Sequence, residues 1–302
     1  MNKILSYTSC NLCGRNCRIN RTSQKGYCRV NDKTIISSHL LHFGEEPPIS
    51  GTNGSGTVFF SGCSLGCVFC QNHQISAGLH GVIIDENELT EIFLQLQSQG
   101  AHNINLVTPT HYSLAIKNSI INARDNGLNI PVVYNSSGFD SIENLHFMDE
   151  VIDIYLPDFK FIHPELSLKY CNSGEYPEIC MKNIEFMMKS RGLLKIDEDG
   201  IAYSGTLIRH LVIPGSINNS IDILNYLLNS YGHEIYLSVM SQFSPEYNSI
   251  SYPEINRKLF QDEYQLVISL LNKNCMENIF CQELISSDIY LPDFRKSSPF
   301  IF

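Results

Sequence analysis

Six short apolar runs recur along the chain, separated by stretches of helical spacing: TVFFSGC (57–63), NINLVTP (103–109), PVVYNSS (131–137), VIDIYLPDFK (151–160), LIRHLVIPG (207–215) and IYLSVMSQF (235–243). Helices are predicted between them near 86–99, 112–126, 141–148, 176–191 and 219–231. Asp85, with Glu88 three residues on, predicts a capping box at the first. Apolar β-branched strands alternating with helices pair in parallel, because each crossover helix carries the chain back before the next strand begins. Six such units predict an α/β fold built as a partial (β/α)6 barrel, short of a closed one. Nearly every run ends in chemically useful residues: Cys63, Thr108, Asn135, Asp158 with Lys160, Arg209 with His210, and Gln242. The face where strands end is where β/α barrels build their sites.

The flanks read differently. Residues 1–56 are Cys-rich and then rich in glycine and proline (FGEEPPISGTNGSG, 43–56), with too little apolar periodicity for a core of their own. Such a segment is expected to fold around a metal or to lie on the main body. The barrel is assigned to 57–250, and a C-terminal helix and tail to 251–302. DIYLPDFK (153–160) returns in that tail as DIYLPDFR (288–295), which suggests a tail ordered against the body. GTNGSGT (51–57) lacks the lysine of a phosphate loop and reads as a hinge.

Residues 1–34 hold seven Lys/Arg and one acid, on a chain whose net charge is −10. That total argues against a general nucleic-acid binder and leaves the basic N-terminal knuckle to meet an acidic protein surface or an RNA backbone, or merely to offset the charge of the neighbouring thiolates. No apolar run approaches the roughly 18 residues of a membrane span, and the start lacks a signal-peptide core, so the expected location is the cytoplasm.

Eleven cysteines are many for a reducing compartment, where disulfides do not persist. Seven fall in two tight groups, and close spacing serves ligation better than packing. Ser61–Asn72 reads SGCSLGCVFCQN, placing Cys63, Cys67 and Cys70 as C-x-x-x-C-x-x-C at a strand end. Three thiolates there can hold a [4Fe–4S] cluster by three irons, leaving one open to the amino and carboxylate groups of a small molecule. A zinc knuckle, or an electron-transfer cluster short of a ligand, is the plainer alternative. Cys10, Cys13, Cys17 and Cys28 form a closed set of soft ligands, suited to structural Zn²⁺ or a second Fe–S cluster, with zinc or a structural role favoured over a redox relay and four free thiols as the bland reading. Cys171, Cys180, Cys275 and Cys281 are expected to be ordinary buried thiols.

The triplet in this setting resembles the radical S-adenosylmethionine (SAM) superfamily. Within it, the chain is similar to PflX-type Fe–S proteins, relatives of the pyruvate formate-lyase activating enzyme. The similarity runs through CNLCGRNCRINR (10–21), HFGEEPPISG (42–51), the Cys triplet, NLVTPTHY (105–112), VVYNSSGFDS (132–141), VIDIYLPDFKF (151–161), LIRHLVIPG (207–215) and MSQFSPEY (240–247). The resemblance implies a partial barrel of radical SAM type, a [4Fe–4S] cluster, and reductive cleavage of SAM to methionine and a 5′-deoxyadenosyl radical that abstracts a hydrogen atom from a substrate. It also implies an electron donor such as flavodoxin or ferredoxin, and a substrate that includes a glycyl-radical enzyme or another protein among the candidates. A non-enzymatic Fe–S or zinc redox sensor or binding module is the competing class.

The same resemblance assigns roles to the strand ends. Relatives often hold the SAM amino group with a GGE stretch where this chain has Thr108, Pro109 and Thr110, so a hydroxyl or carbonyl there would replace it. Asn135 and Ser137 are candidates for the ribose hydroxyls, or simply cap the following turn. Asp158 and Lys160 match a D-L-K-like motif of the activating enzymes, read here as DFK, and are the catalytic candidates. Arg209 and His210 are candidates for SAM's carboxylate or the substrate, and strand alternation lets at most one of them point inward. Gln242 and Tyr247 are weaker candidates on the substrate side, and His73 is read as a supporting or plain surface residue.

Overall fold

The computed structural model describes residues 5–284, 291–296 and 298–300. In chain order its elements are β1 (Thr34–His42), α1 (Pro47–Ser50), β2 (Ser55–Phe60), α2 (His73–Ser76), β3 (Val82–Ile84), α3 (Glu86–Ser98), β4 (Ile104–Val107), α4 (Ser113–Asp125), β5 (Val132–Ser136) and α5 (Ile142–Met148). There follow β6 (Ile154–Pro157), α6 (Pro164–Cys171), α7 (Tyr176–Arg191), β7 (Lys195–Ile196), β8 (Ala202–Leu211), α8 (Ile217–Tyr231), β9 (Tyr236–Met240), α9 (Gln261–Lys273) and β10 (Ile279–Cys281). The sheet runs β10-β9-β8-β6-β5-β4-β2-β1-β3, with short β7 on β8. The six expected strands are β2, β4, β5, β6, β8 and β9, all paired in parallel, and β10 adds a seventh parallel strand. The barrel is open, with β10 at one end and the antiparallel pair β1 and β3 at the other.

Residues of β2, β4, β5 and β6 are buried throughout, as crossover helices on the outside require. Alternation sorts them into two faces. Val58, Phe60, Ile104, Leu106, Val132 and Tyr134 pack outward with Leu89, Phe93 and Leu96 of α3 and Ile116 and Ile120 of α4. The expected capping box starts α3: Asp85 Oδ1 accepts from Glu88 N at 2.9 Å, and Asp85 N donates to Glu88 Oε2 at 2.8 Å. The opposite face is polar for its depth, with Ser55, Asn105, Asn135 and Ser238 all buried on it.

The N-terminal segment lies on the body and shares its sheet. β1 pairs with β2, and the cysteine knuckle before it is stitched to the β5–α5 connection by Gly14 N to Phe139 O (2.9 Å) and Ser141 N to Leu12 O (3.1 Å). The described part of the tail is also docked: Phe294 is buried against Phe59, and its N–H donates to Gln74 Oε1 at 2.7 Å. Positions 288–290 of the repeated motif lie outside the described residues. Among the described residues no helix is long and apolar enough to cross a membrane.

Candidate active site

Past the end of β2 the chain turns at Gly62, whose φ of 91° favours glycine and whose added Cβ would sit 2.8 Å from the Cys28 carbonyl. The loop that follows carries Cys63, Cys67 and Cys70 onto one cavity of about 830 Å³. Arg15 clamps it from outside. That guanidinium donates to the carbonyls of Ser64 (3.0 Å), Leu65 (3.0 Å), Cys171 (2.9 Å) and Asn172, and stacks 3.9 Å over the Tyr27 ring. Arg15→Gln removes charge-assisted bonds worth about 1.5–3 kcal/mol each before compensation, so proteolytic cleavage of the loop should become several-fold faster. An unchanged cleavage rate would show the clamp to be idle.

Burial raises the Cys63 thiol, and pushes Cys70 up to about 12. Cys67 is raised well above the ordinary thiol range, first by its hydrogen bond with the Cys171 sulfur 3.2 Å away and then by burial. Lys160 opposes these shifts at Cys63 and Cys67 by favouring thiolate. Among the described residues no trio of His, Cys, Asp or Glu is gathered as a single ion would need. Three thiols opening onto a roomy shared cavity beside a cation suit the donor chemistry of a three-cysteine cluster.

A chain of charges leads inward from this loop. Lys160 Nζ pairs with Asp158 Oδ2 at 2.5 Å, and Asp158 Oδ1 accepts from Arg209 Nε at 2.9 Å. Arg209 continues to Glu45 Oε2 at 3.1 Å and to Asn135 Oδ1 at 2.6 Å. Glu45 Oε1 also accepts from Asn105 at 3.0 Å. Burial works to raise the Asp158 carboxyl, but Arg209 and Lys160 outweigh it and hold it below the ordinary range. Burial likewise works against the charge on Arg209, and its carboxylate neighbours outweigh that and raise it.

Residues 57–222 match the Radical SAM superfamily. The chain belongs to the radical SAM superfamily. An uncharacterized protein of Methanocaldococcus jannaschii is 30% identical over 284 residues, covering 91% of this chain and 77% of the relative. Two solved structures of Streptococcus suis SuiB share the fold. The one bound to S-adenosylmethionine has a TM-score of 0.53 at 14% identity over 74% of this chain, and the other 0.52 at 12% over 78%. The chain spans about half the length of SuiB. Membership of the superfamily implies a [4Fe–4S] cluster and SAM as cofactors.

The radical SAM cavity gathers Thr108, Asn135, Ser137, Asp158, Lys160, Arg209 and Gln242 together with the Cys triplet. Thr108 holds a left-handed φ of 59°, a strained choice for a β-branched residue and one that glycine takes freely. Gln242 already accepts from Gln282 Nε2 at 3.0 Å. Two candidates require correction. His210 faces away, with Nδ1 2.7 Å from Phe159 O and Nε2 2.8 Å from Ser220 Oγ, and burial lowers its pKa to about 4. Thr110 is buried outside the cavity, beside the Tyr134–Asp140 pair. Arg209 does point inward, but its Nε and both terminal nitrogens are engaged by protein acceptors, so it is a brace before it is a carboxylate hook. Tyr247 stacks on His73 with ring centroids 5.3 Å apart, and His73 Nδ1 lies 3.2 Å from the Cys70 carbonyl.

The four N-terminal cysteines feel one another: burial pushes the Cys13 thiol up to about 12, and Cys28, Cys10 and Cys17 add to the shift. The basic knuckle is less free than its sequence suggests. Arg15 is committed to the cysteine loop, and Arg21 is fully buried, donating to His111 O at 2.6 Å. Cys275 and Cys281 are exposed rather than buried, and Cys171 touches the triplet. Sequence reasoning also passed over Glu45 and Glu46, which line the cavity from the β1–α1 connection.

Proposed function

We propose that the protein is an enzyme that binds SAM at the Cys63–Cys67–Cys70 loop and uses it for hydrogen abstraction from a second molecule. The carrying observation is that the three thiols of the triplet and the Lys160–Asp158–Arg209 chain share one cavity. When bound, the cluster and SAM would supply reductive cleavage and the 5′-deoxyadenosyl radical. The chain's own part is to hold the loop through Arg15, to keep a cation beside the thiolates through Lys160, and to offer Asn135 and Ser137 to a polar ligand. Leu65, Phe69 and Phe243 line the same space and give it an apolar wall.

The ordered motifs support a PflX-type, activating-enzyme-like identity, with flavodoxin or ferredoxin as electron donor and a protein, a glycyl-radical enzyme included, as substrate. Free thiols at all eleven cysteines support work in the reducing cytoplasm. For Cys10, Cys13, Cys17 and Cys28 the soft, closed donor set supports one structural zinc, which would have to draw the thiols together, since no trio of them is gathered among the described residues. Anaerobic reconstitution with iron, sulfide and zinc counting, then a dithionite-driven assay for 5′-deoxyadenosine, tests both readings. About four irons and one zinc with cleavage is the expected result. About eight irons would replace the zinc with a second cluster, and a formed cluster that neither binds nor cleaves SAM would favour a sensor or scaffold.

A further inference from the structure

We infer that the carboxylates at the inner end of the cavity, led by Glu46, form a subsite for an organic cation, a guanidinium or primary ammonium group on the molecule the enzyme acts upon. The inference rests on reading the cavity as the SAM and substrate site.

Position comes first. β1 runs antiparallel to β2 with His42 opposite Ser55, so Glu45 and Glu46 enter beneath the first residue of β2. The cysteine loop leaves from the other end of the same strand. The charge chain orders the groups between them, from Cys67 through Lys160, Asp158 and Arg209 to Glu45. A group bound at Glu46 therefore lies at the end of the cavity away from the cysteines.

Charge comes second. Asp158 has two cations, and Glu45 has Arg209 with Asn105 and Asn135. Among the described residues Glu46 has no ion pair of its own. It is 8% exposed, and its Oε2 is buried without a hydrogen-bond partner. Burial raises its carboxyl above the ordinary range, opposed by Arg209 at a distance and by the nearby Ser238 hydroxyl. Among the described residues, Glu45, Glu46 and Asp158 thus share two lasting cations, Arg209 and Lys160; the His42 imidazole near Glu46 is pushed down to about 4 by burial, and Glu283 adds another carboxylate to the cavity wall. A buried carboxylate left one bond short is costly, and an incoming cation removes that cost while an anion would add to it. Leu211, Met240 and Phe243 on the same walls suit the methylene stem such a cation carries.

Equilibrium dialysis of butylguanidinium against the reconstituted holoenzyme tests the subsite, with butylurea as its uncharged counterpart. Saturable binding of the cation is expected, at least about tenfold weaker for butylurea and for the cation with Glu46→Gln, the loss of one charge-assisted bond. The Glu46→Gln protein should melt no lower than wild type, since a neutral amide replaces a buried carboxylate left one bond short. Saturating SAM should leave butylguanidinium bound. The subsite is overturned by absence of binding, by equal binding of butylurea, by undiminished binding to the variant, or by a lower melting temperature. Displacement by SAM would also overturn it, assigning the carboxylates to SAM's own cationic groups. Failure of SAM cleavage would sink the enzyme reading and leave these binding results standing.

Discussion

Alanine at Cys63, Cys67 or Cys70 is expected to reduce SAM cleavage to background and to strip the protein of most of its cluster iron. All three thiols open onto the same cavity, so none is a spare for another. Loss of a ligand leaves the others with a cluster two thiolates cannot hold against exchange. Cys171→Ala should act more mildly, since it removes a hydrogen bond to a ligand rather than a ligand; cluster retention should fall by about 10- to 100-fold, the usual scale for such support. Iron content by absorbance and chelation, with 5′-deoxyadenosine by chromatography, measures both. Undiminished cleavage in a protein lacking all three cysteines would end the assignment of this loop.

The second large effect is on stability. Arg209→Met should cost about 3–5 kcal/mol, because it strands Glu45 and Asp158 inside the cavity with a single remaining cation. Arg209→Lys should restore only part of this, as one ammonium cannot reach three acceptors held by a planar fork. The sign with pH follows from Asp158, whose folded pKa is depressed. Its contribution is present above the ordinary carboxylate range and is lost as pH falls through the depressed value, so wild type and variant should converge on acidification. Denaturant melts at neutral and acid pH measure this. A gap that widens in acid would show that Arg209 is not acting through carboxylates.

The sequence was most legible where chemistry and periodicity are local. Six strands and five helices lie where the apolar pattern puts them, and the Asp85 cap is present in full. Parity on β8 correctly limited Arg209 and His210 to one inward side chain, though not which. What escaped depends on contacts between distant segments. Glu45 reaches Arg209 across 164 positions, and Cys171 reaches Cys67 across 104, with no local pattern to announce either. The faint signal for Glu45 and Glu46 was a pair of acids between Gly44 and two prolines, in a stretch with little reason to carry charge. β10 is three residues long and too short to declare itself by pattern. Thr110 was read as a strand end, whereas the chain had already turned into a tight helical turn over Thr110–Tyr112.

The bond between Glu45 and Arg209 also has a mechanical meaning. One partner stands just past β1 and the other on β8, with β2, β4, β5 and β6 between them in the sheet. Strands of an open sheet are otherwise held only to their neighbours, and this pair is a tie-rod strung across four of them, joining the chain just past β1 to β8.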